Sequence, residues 1–274
     1  MNALTISDLR VELGPRGARS EVVRGIDLAL RPGAVQGLAG ESGSGKSMTA
    51  MAVLGLLPAG GTASGSIRLG DEELIGMPSR RYRAVRGRRI GMVFQDPSAS
   101  LHPQLTVGAQ LTDVMRTHLG LSRAQARTRA AELLDRVRVP HPDAALKKFP
   151  HQFSGGQRQR VAIAIALACD PEVLLADEPT TALDVTVQAG MLHLLRDLAI
   201  ERNLAVLLVT HDLGVMSAIA DDVAVMRHGR IVEAGTRAQV FTAPVHEYTR
   251  ELLAAMPDAQ EPLVAGEIPQ EDER

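Results

Sequence analysis

The eight residues Gly40-Glu-Ser-Gly-Ser-Gly-Lys-Ser47 fit the pattern G-x-x-x-x-G-K-[ST]. Glycines without a Cβ let backbone N–H groups turn inward around phosphates, and a helix start beyond them adds partial positive charge. Lys46 is placed to reach β- and γ-phosphates, and the Ser47 hydroxyl to ligate Mg2+. A second group is Val173-Leu-Leu-Ala-Asp-Glu178, an apolar strand ending in two carboxylates. Ionised groups at the edge of a core need partners, and at the carboxyl end of a sheet strand a bound nucleotide supplies them. Asp177 would hold Mg2+ one step removed from direct ligation, and Glu178 would polarise an attacking water. A third group, Phe153-Ser-Gly-Gly-Gln157, precedes the helix-like Val161–Leu167. Ser, Gly, Gly and a helix start make a second anion site from backbone N–H groups and the helix dipole. One phosphate loop and a second phosphate site in one chain invite an intermolecular arrangement, the second site meeting a γ-phosphate held by another chain.

The elements that must position these groups follow from periodicity. Short aliphatic runs alternate with helical patterns, which predicts a parallel sheet covered by helices. Val35–Ala39, Ile90–Phe94, Val173–Ala176 and Ala205–Thr210 read as buried strands. Leu4–Val11, Ile26–Leu30 and Ile67–Leu69 read as half-buried antiparallel strands, and Val223–Met226 with Arg230–Glu233 as a hairpin around His228-Gly229. After Asp96 the strand signal stops. Ser122 and Gln125 form a capping box ahead of Ala126, Ala130, Leu133, Leu134 and Val137, while Pro140, Pro142 and Pro150 punctuate a loop. Residues 96–158 are therefore expected to be a helical insertion dividing an α/β core into 1–95 and 159–257.

Composition narrows the class. The chain has 274 residues, 45% hydrophobic, with four Phe, two Tyr and no Trp, so its core must be aliphatic. The apolar content excludes global disorder, and a lone Cys169 excludes a disulfide scaffold. The formal charge of −2 offers no polyanion-binding balance. The charge is uneven, however: residues 258–274 carry six acids and one base, and are expected to form a mobile acidic tail. The six arginines between Arg80 and Arg89 lack aromatic interleaving and read as a solvated helix face rather than a nucleic-acid surface. Met1–Ala3 runs into Asp8, Arg10 and Glu12, so no secretory leader is expected, and the longest apolar stretch, Val161–Cys169, is far shorter than the ~20 residues of a membrane span.

From Leu4 to Pro257 the chain closely resembles the ATP-binding cassette (ABC) family. Its motifs stand in family order: the phosphate loop 40–47, Gln95, the signature 153–157, the carboxylates 177–178, Ala182-Leu183-Asp184, and His211. The resemblance implies an α/β fold: a phosphate-loop NTPase cassette with a RecA-like core, an N-terminal antiparallel β subdomain and the helical insertion. It implies that two cassettes sandwich two ATP molecules with Mg2+. Gly40, Glu41, Ser42, Gly43, Ser44, Gly45, Lys46, Ser47 and Met48 of one chain would face Ser154, Gly155, Gly156 and Gln157 of the other, with Asp184 alongside. Lys46, Glu178, His211 and Gln95 would be the catalytic residues, and Ser47, Gln95 and Asp177 the metal site. Taken singly, Gln95 is an ordinary strand-end residue and His211 an ordinary histidine; only their places after strands promote them. The family's usual aromatic platform for adenine is missing, since no aromatic precedes Tyr82; Arg19 by cation–π contact or Val22 by packing would have to substitute.

Further segments are similar to the ATPases of oligopeptide, dipeptide and nickel importers: 93–103 with 106–108, 150–156, 177–188, and Pro244-Val-His-Glu-Tyr-Thr249. That resemblance implies two integral-membrane permease subunits, a second and non-identical ATPase, and an indirect extracytoplasmic solute-binding protein, with this chain on the cytoplasmic face of the membrane. No nucleic-acid partner is expected. The alternative is a soluble ABC ATPase of DNA repair or translation. The first should carry a long coiled-coil insertion and the second two cassettes in one chain, and the sequence shows neither.

Overall fold

A computed structural model of the chain describes residues 2–15, 17–96, 100–181 and 183–256. The expected acidic tail, Ala182 and residues 97–99 lie outside the described residues. Two sheets form the frame. The first is antiparallel, in the order β2 (Ser20–Leu30), β1 (Leu4–Leu13), β4 (Thr62–Leu69), β5 (Glu72–Glu73). The second runs β10 (Arg230–Thr236), β9 (Asp222–Arg227), β3 (Val35–Ala39), β8 (Ala205–Thr210), β7 (Val173–Asp177), β6 (Ile90–Val93), and only β10 is antiparallel to its neighbour.

The parallel strands of the second sheet, β3 and β6 to β9, are largely buried on both faces, whereas β10 is not; their period of two splits the side chains between two cores. Leu174, Ala176, Val206 and Leu208 join a core with the helices. Val173, Leu175, Ala205, Leu207 and Val209 join another, under the antiparallel sheet. The helices of the first core are α3 (Val107–Leu119), α4 (Arg123–Arg136), α5 (Pro142–Ala145), α6 (Gly155–Ala166) and α7 (Val185–Glu201); α1 (Lys46–Val53) and α2 (Ser79–Val85) face the second. The C-terminal part adds α8 (Leu213–Ile219), α9 (Arg237–Thr242) and α10 (Glu247–Ala254), which join the first core through Leu213, Val215, Met216, Ile219, Val240 and Tyr248.

Two details differ from expectation. The stretch around Pro140, Pro142 and Pro150 is not all loop: Pro142 opens the short helix α5 and Pro150 a 3-10 turn. Proline needs no N–H donor in a helix's first turn and has a fitting φ, so here it starts helices rather than breaking them. The arginine run is not wholly solvated. Arg86 donates to Leu54 O and Gly55 O at 2.6 and 2.7 Å, Arg89 pairs with Glu72 and Glu172, and Arg81 pairs with Glu72.

Asp221 ties the central strand to its neighbours. Its carboxylate accepts from Val35 N at 2.8 Å and from Arg196 of α7, while its own N–H donates to Val35 O at 2.8 Å. Burial pushes its pKa up, but the Arg196 and Val35 hydrogen bonds outweigh this and hold it below the ordinary aspartate value. A depressed folded-state pKa stabilises above the unfolded value and loses that stabilisation as pH falls through the folded one. Asp221→Asn should therefore cost about 1–3 kcal/mol at neutral pH. The deficit should shrink below about pH 4, the unfolded aspartate range. Urea midpoints of both chains across that range measure it; a pH-independent deficit would contradict this account.

Candidate nucleotide site

The register of the second sheet brings the chemistry to one end. Ala39 pairs with Thr210, Asp177 with Val209 and Val93 with Ala176, so the loop after β3, the carboxylates closing β7, His211 after β8 and Gln95 after β6 emerge together. These are the carboxyl ends of parallel strands, where open α/β sheets bind ligands.

Residues 40–45 connect β3 to α1. A Cβ at Gly40, whose φ is +146°, would stand 2.1 Å from Met226 O, so the loop start must be glycine to lie against β9. The hairpin turn also supports the loop, since Gly229 N donates to Ser44 O at 3.0 Å. At the helix start, Lys46, Ser47 and Met48 have no carbonyl four residues back within α1, leaving first-turn N–H groups directed out of the helix. Lys46 is 5% exposed, and its Nζ donates to Gly40 O at 2.7 Å and Glu41 O at 2.9 Å. Burial lowers its pKa, against the attraction of Glu178, Asp177 and Glu41. The Ser44 hydroxyl is buried and has no hydrogen-bond partner among the described residues.

Ser47 Oγ donates to Asp177 Oδ1 at 3.1 Å, 130 residues apart in sequence. Asp177 is buried, and burial raises its pKa against the Ser47 hydrogen bond. Glu178 takes the left-handed φ of +47°, its N–H donating to Val209 O at 2.8 Å. Three groups hold its carboxylate. Gln95 Nε2 donates to Oε2 at 3.0 Å, Thr181 Oγ1 donates to the same oxygen at 3.0 Å, and His211 Nδ1 lies 2.9 Å from Oε1. Burial works to raise the Glu178 pKa, but His211, Thr181 and Lys46 together bring it below the usual carboxylate value. The Glu178 side chain is 16% exposed and that of His211 58%, so the pair opens on one side to the surface.

The signature residues form a separate unit. Ser154 caps α6, accepting from Gln157 N at 3.3 Å, while Gln157 Oε1 accepts from Ser154 N at 3.2 Å. Asp184 caps α7, its Oδ1 accepting from Val187 N at 2.9 Å. A Cβ on Gly156 would stand 2.5 Å from Val187 Cγ1, so glycine there lets the two helix starts lie side by side. Among the described residues, no hydrogen bond joins Ser154–Gln157 or Asp184 to the loop 40–47 or to the carboxylates. The structure thus gathers Lys46, Ser47, Asp177, Glu178, Gln95 and His211, and leaves the signature and Asp184 apart from them.

The two substitutes for an aromatic platform are not equally free. The Arg19 guanidinium donates to Glu12 and Thr62 at 3.2 and 3.1 Å, whereas Val22 is half-buried with its carbonyl oxygen 2.7 Å from where a Gly45 Cβ would lie. Sequence reasoning missed Thr181, the Met226–Gly229 support and Tyr248, whose hydroxyl accepts from Glu41 N at 3.1 Å. Thr181 and Tyr248 lay inside segments already singled out, but nothing in their local sequence told where their hydroxyls point.

A family model described as ABC transporter matches residues 23–181. The peptidoglycan transport ATP-binding protein YejF of Agrobacterium fabrum is 49% identical over 94% of this chain, which spans about half of that protein's length (48%). The oligopeptide transport ATP-binding protein OppD of Salmonella typhimurium is 46% identical over 93% of this chain and 76% of its own. Among solved structures, a dimeric post-hydrolysis state of the ATP-binding cassette MJ0796, bound to ADP and Pi, superposes with a TM-score of 0.75 at 26% identity. That match covers 85% of this chain and 98% of the other. With the phosphate loop, the paired carboxylates and the strand-end histidine meeting at one sheet end, the chain belongs to the ABC transporter family as an ATP-binding cassette.

Proposed function

We propose that the chain is the ATP-hydrolysing subunit of an importer for peptides. The observation that carries the ATPase reading is the Glu178 carboxylate, held by Gln95, Thr181 and His211 beside Lys46, Ser47 and Asp177. A carboxylate kept ionised and aimed by three donors fits a group that polarises water for attack on a γ-phosphorus. Lys46 would leave the Gly40 and Glu41 carbonyls for phosphate oxygens, and the buried Ser44 hydroxyl would gain the partner it lacks among the described residues. His211 would orient the water from the open side of Glu178. The same chemistry fits Mg2+. A serine hydroxyl, a buried carboxylate and the Gln95 amide are the hard oxygen donors this ion takes, completed by phosphate oxygens and water. Among the described residues no cluster of three or more His, Cys, Asp or Glu side chains is built to hold a metal alone. When bound, the ion would neutralise charge on the phosphates.

The separation of the signature unit from the phosphate loop supports a sandwich in which Ser154–Gln157 and Asp184 act on nucleotide held by a second cassette. Val22, whose backbone lies against Gly45 of the loop while Arg19 is engaged by Glu12 and Thr62, is the better candidate for the adenine. Peptides as cargo follow from relatives whose names give oligopeptide or peptide transport, which favours them over nickel. Among the described residues no helix is long and apolar enough to cross a membrane. The relatives' names as ATP-binding proteins of transport systems support permease partners: two permease subunits, which this chain would energise from the cytoplasmic face together with a second, non-identical ATPase and, indirectly, a solute-binding protein. The test is co-purification from native membranes followed by Mg-ATP turnover. Recovery with permeases and peptide-stimulated hydrolysis is expected; an ATPase found without any permease would refute the transport reading.

A further inference from the structure

The segment Pro244–Thr249 has no part in the chemistry above, yet it is fastened in place. Glu233 of β10 accepts from Val245 N and His246 N at 2.8 and 3.0 Å, and His246 Nδ1 accepts from Tyr248 N at 3.1 Å to cap α10. This fixes the angle at which α10 leaves β10. Tyr248, 1% exposed, lies under the Arg227 guanidinium, 4.4 Å from the ring centroid. Its hydroxyl ends at the phosphate loop, 207 residues away in sequence, and accepts from Glu41 N at 3.1 Å.

The bond's place in the loop gives it a consequence. One peptide unit joins Gly40 and Glu41. Its N–H faces Tyr248, and its carbonyl oxygen, Gly40 O, accepts from Lys46 Nζ at 2.7 Å. The two side chains therefore hold opposite edges of one peptide plane. Gly40 lacks a Cβ and sits at a φ of +146°, so by itself it resists rotation of that plane little. Glu41 is exposed, and without the tyrosine its N–H would turn to water.

We propose that Tyr248 is a positioning residue for phosphate binding: its hydroxyl fixes the Gly40–Glu41 peptide and, through it, the resting place of Lys46. This rests on reading 40–47 as the loop that binds ATP phosphates. Helix α10 thereby braces the phosphate loop, and ATP meets a loop already ordered rather than one it must order.

Tyr248→Phe in the full chain removes the acceptor and keeps the ring, its burial and the Arg227 contact. Isothermal titration with Mg-ATP should show Kd raised about three- to tenfold, the worth of one hydrogen bond. KM should rise in step with Kd while kcat stays within about twofold of wild type, since the interaction acts on binding and not on the transition state alone. A lowered Tm with unchanged Kd is what a merely structural tyrosine would give, and it overturns the proposal. Hydrogen exchange at the Glu41 amide decides the matter independently of whether the variant folds. Slow exchange in the wild-type chain is expected, and fast exchange there overturns the brace. A wild-type chain that binds no Mg-ATP removes the reading of 40–47 and this inference with it. A wild-type chain that binds normally beside an unchanged variant removes only the brace.

Discussion

Glu178→Gln should lower steady-state ATP turnover by about 10²- to 10⁴-fold, the range over which a positioned base contributes. The amide keeps the side chain's shape and one accepting oxygen, so the hydrogen bonds from Gln95 and Thr181 have somewhere to go. What it loses is the negative charge that His211 and Lys46 stabilise. ATP affinity should hold or tighten, because that charge lies close enough to Lys46 to interact with it and would repel a γ-phosphate in the same place. Binding retained with turnover removed predicts an accumulated ATP-bound pair of chains, visible as a Mg-ATP-dependent doubling of mass in sedimentation. Turnover at the wild-type rate would take the role of base away from Glu178.

The backbone frame of this site was legible because its signals are local. β3 and β8 begin and end where their apolar runs do, and the loop between β3 and α1 sits where its glycines place it. Strand ends drifted for physical reasons. β7 runs one residue further than its apolar run, to Asp177, because pairing with Val209 continues past the last aliphatic side chain. β6 stops at Val93, one residue short, where pairing to β7 ends. β1 and β2 are longer than expected because pairing continues through Glu12 and Leu13 to Glu21 and Ser20, beyond the apolar runs, and bulges interrupt the alternation. The supports of the site were not legible, since each depends on how the chain turns or packs rather than on a local apolar pattern. Thr181 reaches Glu178 only because the chain turns there, and Tyr248 reaches Glu41 only because β10 and its Glu233 aim α10. The likeness to a family placed Gln95 and His211; the structure adds that both meet on one carboxylate.

Lys46→Met should fail differently, and the contrast separates binding from chemistry. Methionine matches the length of the lysine stem but brings no charge and no donor. The wild-type ammonium is buried between two carbonyls and next to Asp177 and Glu178, where water screens it little. A charge-assisted hydrogen bond to phosphate there is worth about 1.5–3 kcal/mol, so Mg-ATP should bind about ten- to a hundredfold more weakly. Charge that grows on the phosphates in the transition state raises the loss in kcat/KM to about 10³-fold or more. Lys46→Arg should not restore it: a planar fork with five donors cannot take the place of one ammonium seated 2.7 and 2.9 Å from two carbonyl oxygens. Glu178→Gln thus keeps ATP and loses turnover, while Lys46→Met loses both. Titration calorimetry and phosphate release on the two variants, with circular dichroism to normalise for folded chain, measure the difference. If Lys46→Met binds Mg-ATP within about twofold of wild type, the ammonium does not touch phosphate and the loop must hold it by its N–H groups alone.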